Sequence, residues 1–193
     1  MDQAIKATVL AVTGARAVVG TQVIQSLWSG YGELRRLELA GGSHTSIILK
    51  HIKLPDAAVH PRGWNTNLSH QRKIRSYQVE AHWYQHHARH CDTGCVVPKC
   101  LAVESAENET LLLLTDLDEL GFDLRKEQAG LEEMYACLDW LAQFHARFMG
   151  SRGDGLWESG TYWHLQTRPD ELEALDDLAQ PHVQPVERSL VSR

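Results

Sequence analysis

A run of apolar, β-favouring residues, Ser46-Ile47-Ile48-Leu49, ends on Lys50, and thirty positions later Glu80 stands in a helix-like stretch. An Ile-rich strand is a rigid base from which an ammonium can reach phosphate oxygens, and a carboxylate on a helix can hold that ammonium in place. The pair reads as half of a nucleotide site, with an ordinary surface lysine at a strand end as the alternative. Lys53 is a rival cation, but the adjoining Leu54-Pro55 marks the end of the strand there. Upstream, Ser29-Gly30-Tyr31-Gly32-Glu33 forms a tight glycine turn. Gly30 and Gly32 open positive φ and let backbone approach a phosphate closely. A plain hairpin turn accounts for the same residues, and the third glycine of a G-x-G-x-x-G pattern is absent.

Histidines form the other conspicuous group. His82, His86 and His90 are four apart on the presumed Glu80 helix, with His87 beside them, so that three imidazoles share one face. Three ligands on one helix cannot surround a zinc ion, and no second cluster offers a fourth. They are read as solvent-facing, and no metal ligand is assigned. His90-Cys91-Asp92 imitates the His-x-Asp of a kinase catalytic loop, but Val97 stands where the asparagine of that motif belongs. Asp170, Asp176 and Asp177 lie in an acidic helical stretch without such a motif. No catalytic residue is assigned.

These residues need elements to position them. Residues 2–14 read as a short helix ended near Gly14. Strands follow at 23–28 and 34–39, the second closed by Gly41-Gly42, and then comes the strand ending in Lys50. Three short strands separated by glycine turns predict an antiparallel meander. Residues 54–69 read as a loop, 71–88 as a helix, and 95–103 and 110–114 as strands around a polar turn. In the helix predicted over 127–149, Leu131, Met134, Leu138, Leu141, His145 and Phe148 recur every three or four residues as a stripe that calls for burial. A helical, acidic stretch over 169–178 and a disordered tail over 180–193 complete the chain.

Composition narrows the classes of function. The 193 residues carry 19 basic and 25 acidic side chains, a net of −6, with no basic stripe, which argues against a nucleic-acid surface. Apolar runs such as Leu111–Leu114 are far shorter than the roughly 20 residues that cross a bilayer. The N-terminus lacks the apolar core of a secretory signal. A cytoplasmic setting without membrane attachment is expected. Cys91, Cys95, Cys100 and Cys137 have neither paired C-x-x-C spacing nor disulfide-scaffold density, so free thiols are expected, Cys137 as a small core residue.

Five segments occur in a recognisable order: 24–32, Ile48-Leu49-Lys50, Ser76-Tyr77-Gln78-Val79-Glu80, Leu112-Leu113-Leu114-Thr115-Asp116-Leu117 and Leu141-Ala142-Gln143-Phe144-His145-Ala146. Together they resemble the small-molecule kinases related to choline kinase and aminoglycoside phosphotransferases, most closely the ecdysteroid-kinase-like branch of the protein-kinase-like fold. The resemblance implies an α+β fold. Residues 1–117 would form the N-terminal lobe and hinge, a five-stranded antiparallel sheet plus helix. Residues 118–179 would begin a helical second lobe, and 180–193 would be a tail.

It also implies ATP and Mg²⁺ as cofactors and a small-molecule alcohol as phosphate acceptor. Lys50 would lie near the α- and β-phosphates, oriented by Glu80. Gly30 and Gly32 would belong to the phosphate turn. Ile48, on the Lys50 face by the two-residue strand period, would touch adenine. Thr115 and Leu117 would offer hinge backbone groups to adenine, with Asp116 either part of that hinge or a solvated turn residue. His145 would have a structural, hydrogen-bonding role. The catalytic aspartate and metal-binding motifs of the larger lobe are missing from these 193 residues. A shortened, catalytically incomplete form is therefore expected, which would associate with itself through an uncovered helix over 131–148. A nucleotide- or protein-binding module and a folding-impaired fragment are the alternatives.

Overall fold

The computed structural model of the chain describes residues 1–27, 30–54, 67–106, 108–159 and 168–169. Ile5, Val9 and Thr13 recur at the helical interval and are the buried face of the first helix, α1 (Gln3–Thr13). The Asp2 carboxylate accepts the Ala4 N–H at its start, and Gly14, in the left-handed conformation, stops it by donating its N–H to the Leu10 carbonyl.

Five antiparallel strands follow: β1 (Ala17–Ser26), β2 (Gly32–Ala40), β3 (Ser46–Lys53), β4 (Cys100–Ser105) and β5 (Glu109–Thr115). They form one sheet in the order β1-β2-β3-β5-β4. The meander expected for the first three strands is present, and β3 lies in the centre. Strand alternation divides the core in two. Ile47 and Leu49 of β3, with Leu37, Leu39, Leu111 and Leu113, pack against Ile5 and Val9 of α1. Ile52, with Leu112 and Leu114 of β5, faces the other way and packs with Tyr31 and Tyr77, Tyr77 being on α2 (Asn67–His86). Because β5 is covered on both faces, its sequence is an unbroken apolar run, Leu111–Leu114, rather than an alternating one. The β1–β2 ladder is interrupted twice, so that Val19 and Ile24 each stand as an extra residue on β1, without a partner in the register.

Beyond β5, a single 3₁₀ turn (Leu117–Leu120) leads through an exposed segment, 121–130, to α3 (Leu131–Phe148). Glu133 reaches back to the Gly130 N–H at 2.8 Å and fixes the start of that helix. The chain divides into two compact units, Met1–Leu156 and Trp157–Arg193. The acidic helix expected over 169–178 and the tail over 180–193 lie almost wholly outside the described residues, as do Trp28, Ser29 and most of the loop expected over 54–69.

Several boundaries and one face differ from the sequence expectations. β1 starts at Ala17 rather than at Val23, its first half, residues 17–21, being paired with β2 as well apart from the extra residue Val19. β3 continues past Lys50 to Lys53. β4 starts at Cys100 rather than Cys95, because Pro98 has no N–H to give to a ladder. The helix over 131–148 forms, but its aliphatic stripe is not its packed face. Leu131, Met134, Leu138 and Leu141 are exposed, as are His145 and Cys137, which is therefore not a core residue. The residues turned inward are Trp140, Phe144 and Phe148, stacked along the helix with ring centroids 5.0 and 4.8 Å apart. Trp140 donates its indole N–H to the Val96 carbonyl at 3.0 Å, and Phe144 meets Trp83 of α2. Aromatic rings at a four-residue interval compete with the longer aliphatic row for the buried side, and here the rings take it.

Candidate functional site

On the α2 side of β3, Ile48, Lys50 and Ile52 alternate with the buried Ile47 and Leu49, which places Lys50 opposite Glu80 of α2. The Lys50 ammonium donates to both carboxylate oxygens of Glu80, at 2.6 Å to Oε1 and 2.7 Å to Oε2. The ring of Tyr77, one turn before Glu80, lies 5.4 Å from that ammonium. A lysine held by both oxygens is fixed as a point charge at the mouth of this face, the arrangement suited to holding a phosphate. Lys53, at the end of the strand, is exposed. Ile48 is half-buried and packs on the same cluster, on Lys50's side of the strand. Burial, and after it the Glu80 carboxylate, pushes the phenol of the neighbouring Tyr84 up to about 12, so that it stays protonated.

The glycine turn stands over the start of α2. Tyr31, between the two glycines, is buried and shares a 2.6 Å hydrogen bond between its hydroxyl and His70 Nδ1, while its ring lies 6.0 Å from that of Tyr77. Gly30 has φ 74° and open space where a Cβ would project. Gly32 has φ 125°, and a Cβ there would drive into the backbone carbonyl of His51 on β3. Its glycine is thus demanded by strand packing itself. Gly32→Ala is expected to cost about 2–4 kcal/mol of stability, from strained φ plus a clash with backbone. Gly30→Ala should cost only about 1 kcal/mol, the left-handed penalty alone. Urea unfolding of the two variants side by side checks this, and equal losses would contradict it.

At the far end of β5, Thr115 and Leu117 flank a buried carboxylate. The Thr115 N–H donates to the Lys99 carbonyl at 3.0 Å and its hydroxyl accepts the Lys99 N–H at 2.9 Å, so its side chain is committed to the residue that leads into β4. The Leu117 carbonyl accepts the N–H groups of Gly121 and Phe122. Asp116, left open between hinge and solvated turn, is only 1% exposed. It accepts from Arg36 Nε of β2 at 2.5 Å, from the Ser46 hydroxyl of β3 at 2.8 Å and from the Asp118 N–H at 3.1 Å. Burial alone would raise its pKa, but these donors outweigh burial and hold the carboxyl below the ordinary range. Arg36 also pairs with Asp118, and Glu119 accepts from the N–H groups of Thr45 and Ser46 at 2.6 and 2.8 Å. Sequence reasoning missed Arg36, Ser46 and Glu119. Their partners are some seventy to eighty residues away, and only the adjacency of β2, β3 and β5 brings them together.

The histidines are not uniformly solvent-facing. His86 and His90 are exposed, but His82 and His87 are half-buried, and each shares a hydrogen bond with the Asp154 carbonyl, at 2.9 and 3.2 Å. Helix α2 ends at His86, so His90 does not continue its face. These side chains line a cleft of about 590 Å³ with Arg147 and Phe148 of α3, away from Lys50 and Glu80. Asp92 of the His90-Cys91-Asp92 segment is paired with Arg147 and accepts the Gly94 N–H at 2.9 Å, both structural contacts. The four cysteines are free thiols. Burial, and then proximity to Cys95, pushes the Cys91 thiol up to about 11, so that it is little ionised at neutral pH. Among the described residues no helix is long and apolar enough to cross a membrane.

A five-stranded antiparallel sheet with a lysine on its central strand, tied to a glutamate on the helix packed across it, defines the N-terminal lobe of a kinase-like protein. The model of the ecdysteroid kinase-like family matches residues 41–150, more than half of the chain, and the chain belongs to that family. The match contains Lys50, Glu80, Thr115, Leu117 and His145, and begins after the glycine turn. No curated protein matches the chain.

Proposed function

We propose that the Lys50 face of the sheet binds ATP as part of a phosphotransferase acting on a small-molecule alcohol. Membership of the ecdysteroid kinase-like family makes kinase-like phosphotransfer the activity class. The observation that carries the finer reading is the two-oxygen grip of Glu80 on Lys50. In this reading Lys50 holds the α- and β-phosphates, and Gly30 lies beside them where space is open. Ile48 packs on the adenine, and the backbone around Thr115 and Leu117 meets its edge. Gly32 keeps the turn pressed against β3. A cytoplasmic setting, where ATP is present, belongs to the same proposal.

The implied Mg²⁺ fits less well. Among the described residues no group of three or more His, Cys, Asp or Glu could hold a metal ion, so no step is assigned through one here. Phosphoryl transfer rests on positioning an acceptor and neutralising phosphate charge together, and Met1–Arg193 contains no His-x-Asp-x-x-x-x-Asn. The 193-residue chain by itself is accordingly proposed to bind nucleotide without turning it over. A screen of purified chain with labelled ATP, magnesium and a panel of small alcohols should give no labelled product. Reproducible transfer, abolished by one substitution within the chain, would overturn that part of the proposal.

Self-association belongs to the proposal as well, carried by the exposed row Leu131, Met134, Tyr135, Leu138 and Leu141 on α3. Sedimentation over a hundredfold concentration range should show a reversible shift to larger species that Leu138→Glu suppresses. A monomer throughout would remove it.

A further inference from the structure

Lys73, Tyr77 and Glu80 recur at intervals of four and three on α2, so all three lie on the helical face that meets β3. The Lys73 ammonium is 5.3 Å from the centre of the Tyr77 ring, and that of Lys50 is 5.4 Å from it. Two ammonium groups thus share one aromatic ring, while the neighbouring carboxylate, Glu80, is engaged through both oxygens by Lys50. Among the described residues, no carboxylate lies within ion-pair distance of Lys73. The His70 and Tyr31 side chains close the same end of the helix, where the glycine turn is pinned down.

A half-buried second lysine beside the Lys50–Glu80 pair gives this face, among the described residues, two ammonium groups to one carboxylate. Burial, and after it repulsion from Lys50, lowers the pKa of Lys73. Among the described residues only the attraction of Glu80, already engaged by Lys50, offsets part of that repulsion, whereas an anion with several phosphoryl groups would relieve it further.

We infer that Lys73 is a second phosphate-binding cation of this site, contacting the phosphoryl groups beyond those held by Lys50, so that the face between the glycine turn and α2 selects polyphosphates over monophosphates. The inference extends the nucleotide reading but does not need adenine recognition. Its probe is therefore inorganic tripolyphosphate, compared with orthophosphate and with ATP, by calorimetry on the full chain.

Wild type should bind tripolyphosphate at least tenfold more tightly than orthophosphate. Lys73→Met should weaken tripolyphosphate by about tenfold or more, the worth of one charged hydrogen bond, and should narrow the preference over orthophosphate. Lys73→Arg should retain most of the affinity. Thermal unfolding checks that each variant folds, and if Lys73→Met does not, Lys73→Gln takes its place. Unchanged tripolyphosphate affinity on removal of Lys73, or no tripolyphosphate binding by wild type, overturns the inference. Failure of the nucleotide reading has a different signature: tripolyphosphate binds in a Lys73-dependent way, but ATP gains nothing from its adenosine.

Discussion

Lys50→Ala is expected to weaken ATP binding by about 10–100-fold while leaving the fold intact. The loss has two sources. The substitution removes the ammonium that would meet the phosphates, and it frees the Glu80 carboxylate, now held at 2.6 and 2.7 Å, to repel them. Stability should change little, because a partly exposed pair contributes on the order of 1 kcal/mol or less. Glu80→Gln should cost less affinity than Lys50→Ala, since it loosens the ammonium but creates no opposing charge. Calorimetric titration with ATP and magnesium reads both, with circular dichroism as the check on folding. Affinity that is indifferent to Lys50 would remove the main support for a nucleotide on this face.

Asp116→Asn is expected to act on stability instead, and more strongly than any exposed charge in the chain. It leaves the Arg36 guanidinium partly buried with, among the described residues, only Asp118 as a carboxylate partner, and should cost about 2–4 kcal/mol at neutral pH, somewhat below the loss for a fully enclosed ion pair. Acid should narrow the gap. The Asp116 carboxyl titrates lower in the folded chain than in the unfolded one, as does that of Glu119, whose burial is outweighed by donors from Thr45, Ser46 and His44. Stability from such a group is fully present above the ordinary carboxylate range and is lost as pH falls through the folded value, so wild type should weaken below about pH 4. The asparagine variant lacks that part of the slope. Urea midpoints at neutral and acidic pH decide the matter, and a constant difference between the two proteins would assign the depressed titration no role in folding.

The elements most legible in the sequence were those in which one local signal sufficed. Gly14 ends α1, glycine turns separate the first three strands, and the two-residue period puts Ile48 and Lys50 on one face. The Lys50–Glu80 approach was also open to sequence reasoning, because a lysine on a strand and a glutamate on the following helix form a familiar order. Asp116 was not. Nothing in Leu114-Thr115-Asp116-Leu117 distinguishes a buried anchor from a solvated strand end. Its partner Arg36 stands directly after a second arginine in Glu33-Leu34-Arg35-Arg36, where either arginine reads as solvated. On α3 the periodicity was legible, but the choice between two competing faces depended on Val96 and Trp83, which come from other elements. The same holds for Lys73, whose place beside Lys50 emerges only once α2 lies across the sheet.

The two breaks in the β1–β2 ladder bear on how the protein behaves in a crowd of its own copies. β1 is an edge strand, and its Val19, Val23 and Ile24 are exposed, a composition that in a flat strand would invite another chain to add itself to the sheet. Val19 and Ile24 are the extra residues at the breaks, so the backbone kinks and its twist steepens twice within ten residues. An incoming strand can stay in step with β1 for only a few hydrogen bonds before its donors and acceptors fall out of phase. The irregularity thus works as a built-in barrier to sheet growth, and greasy residues can remain on an open border without turning it into a template for fibrils.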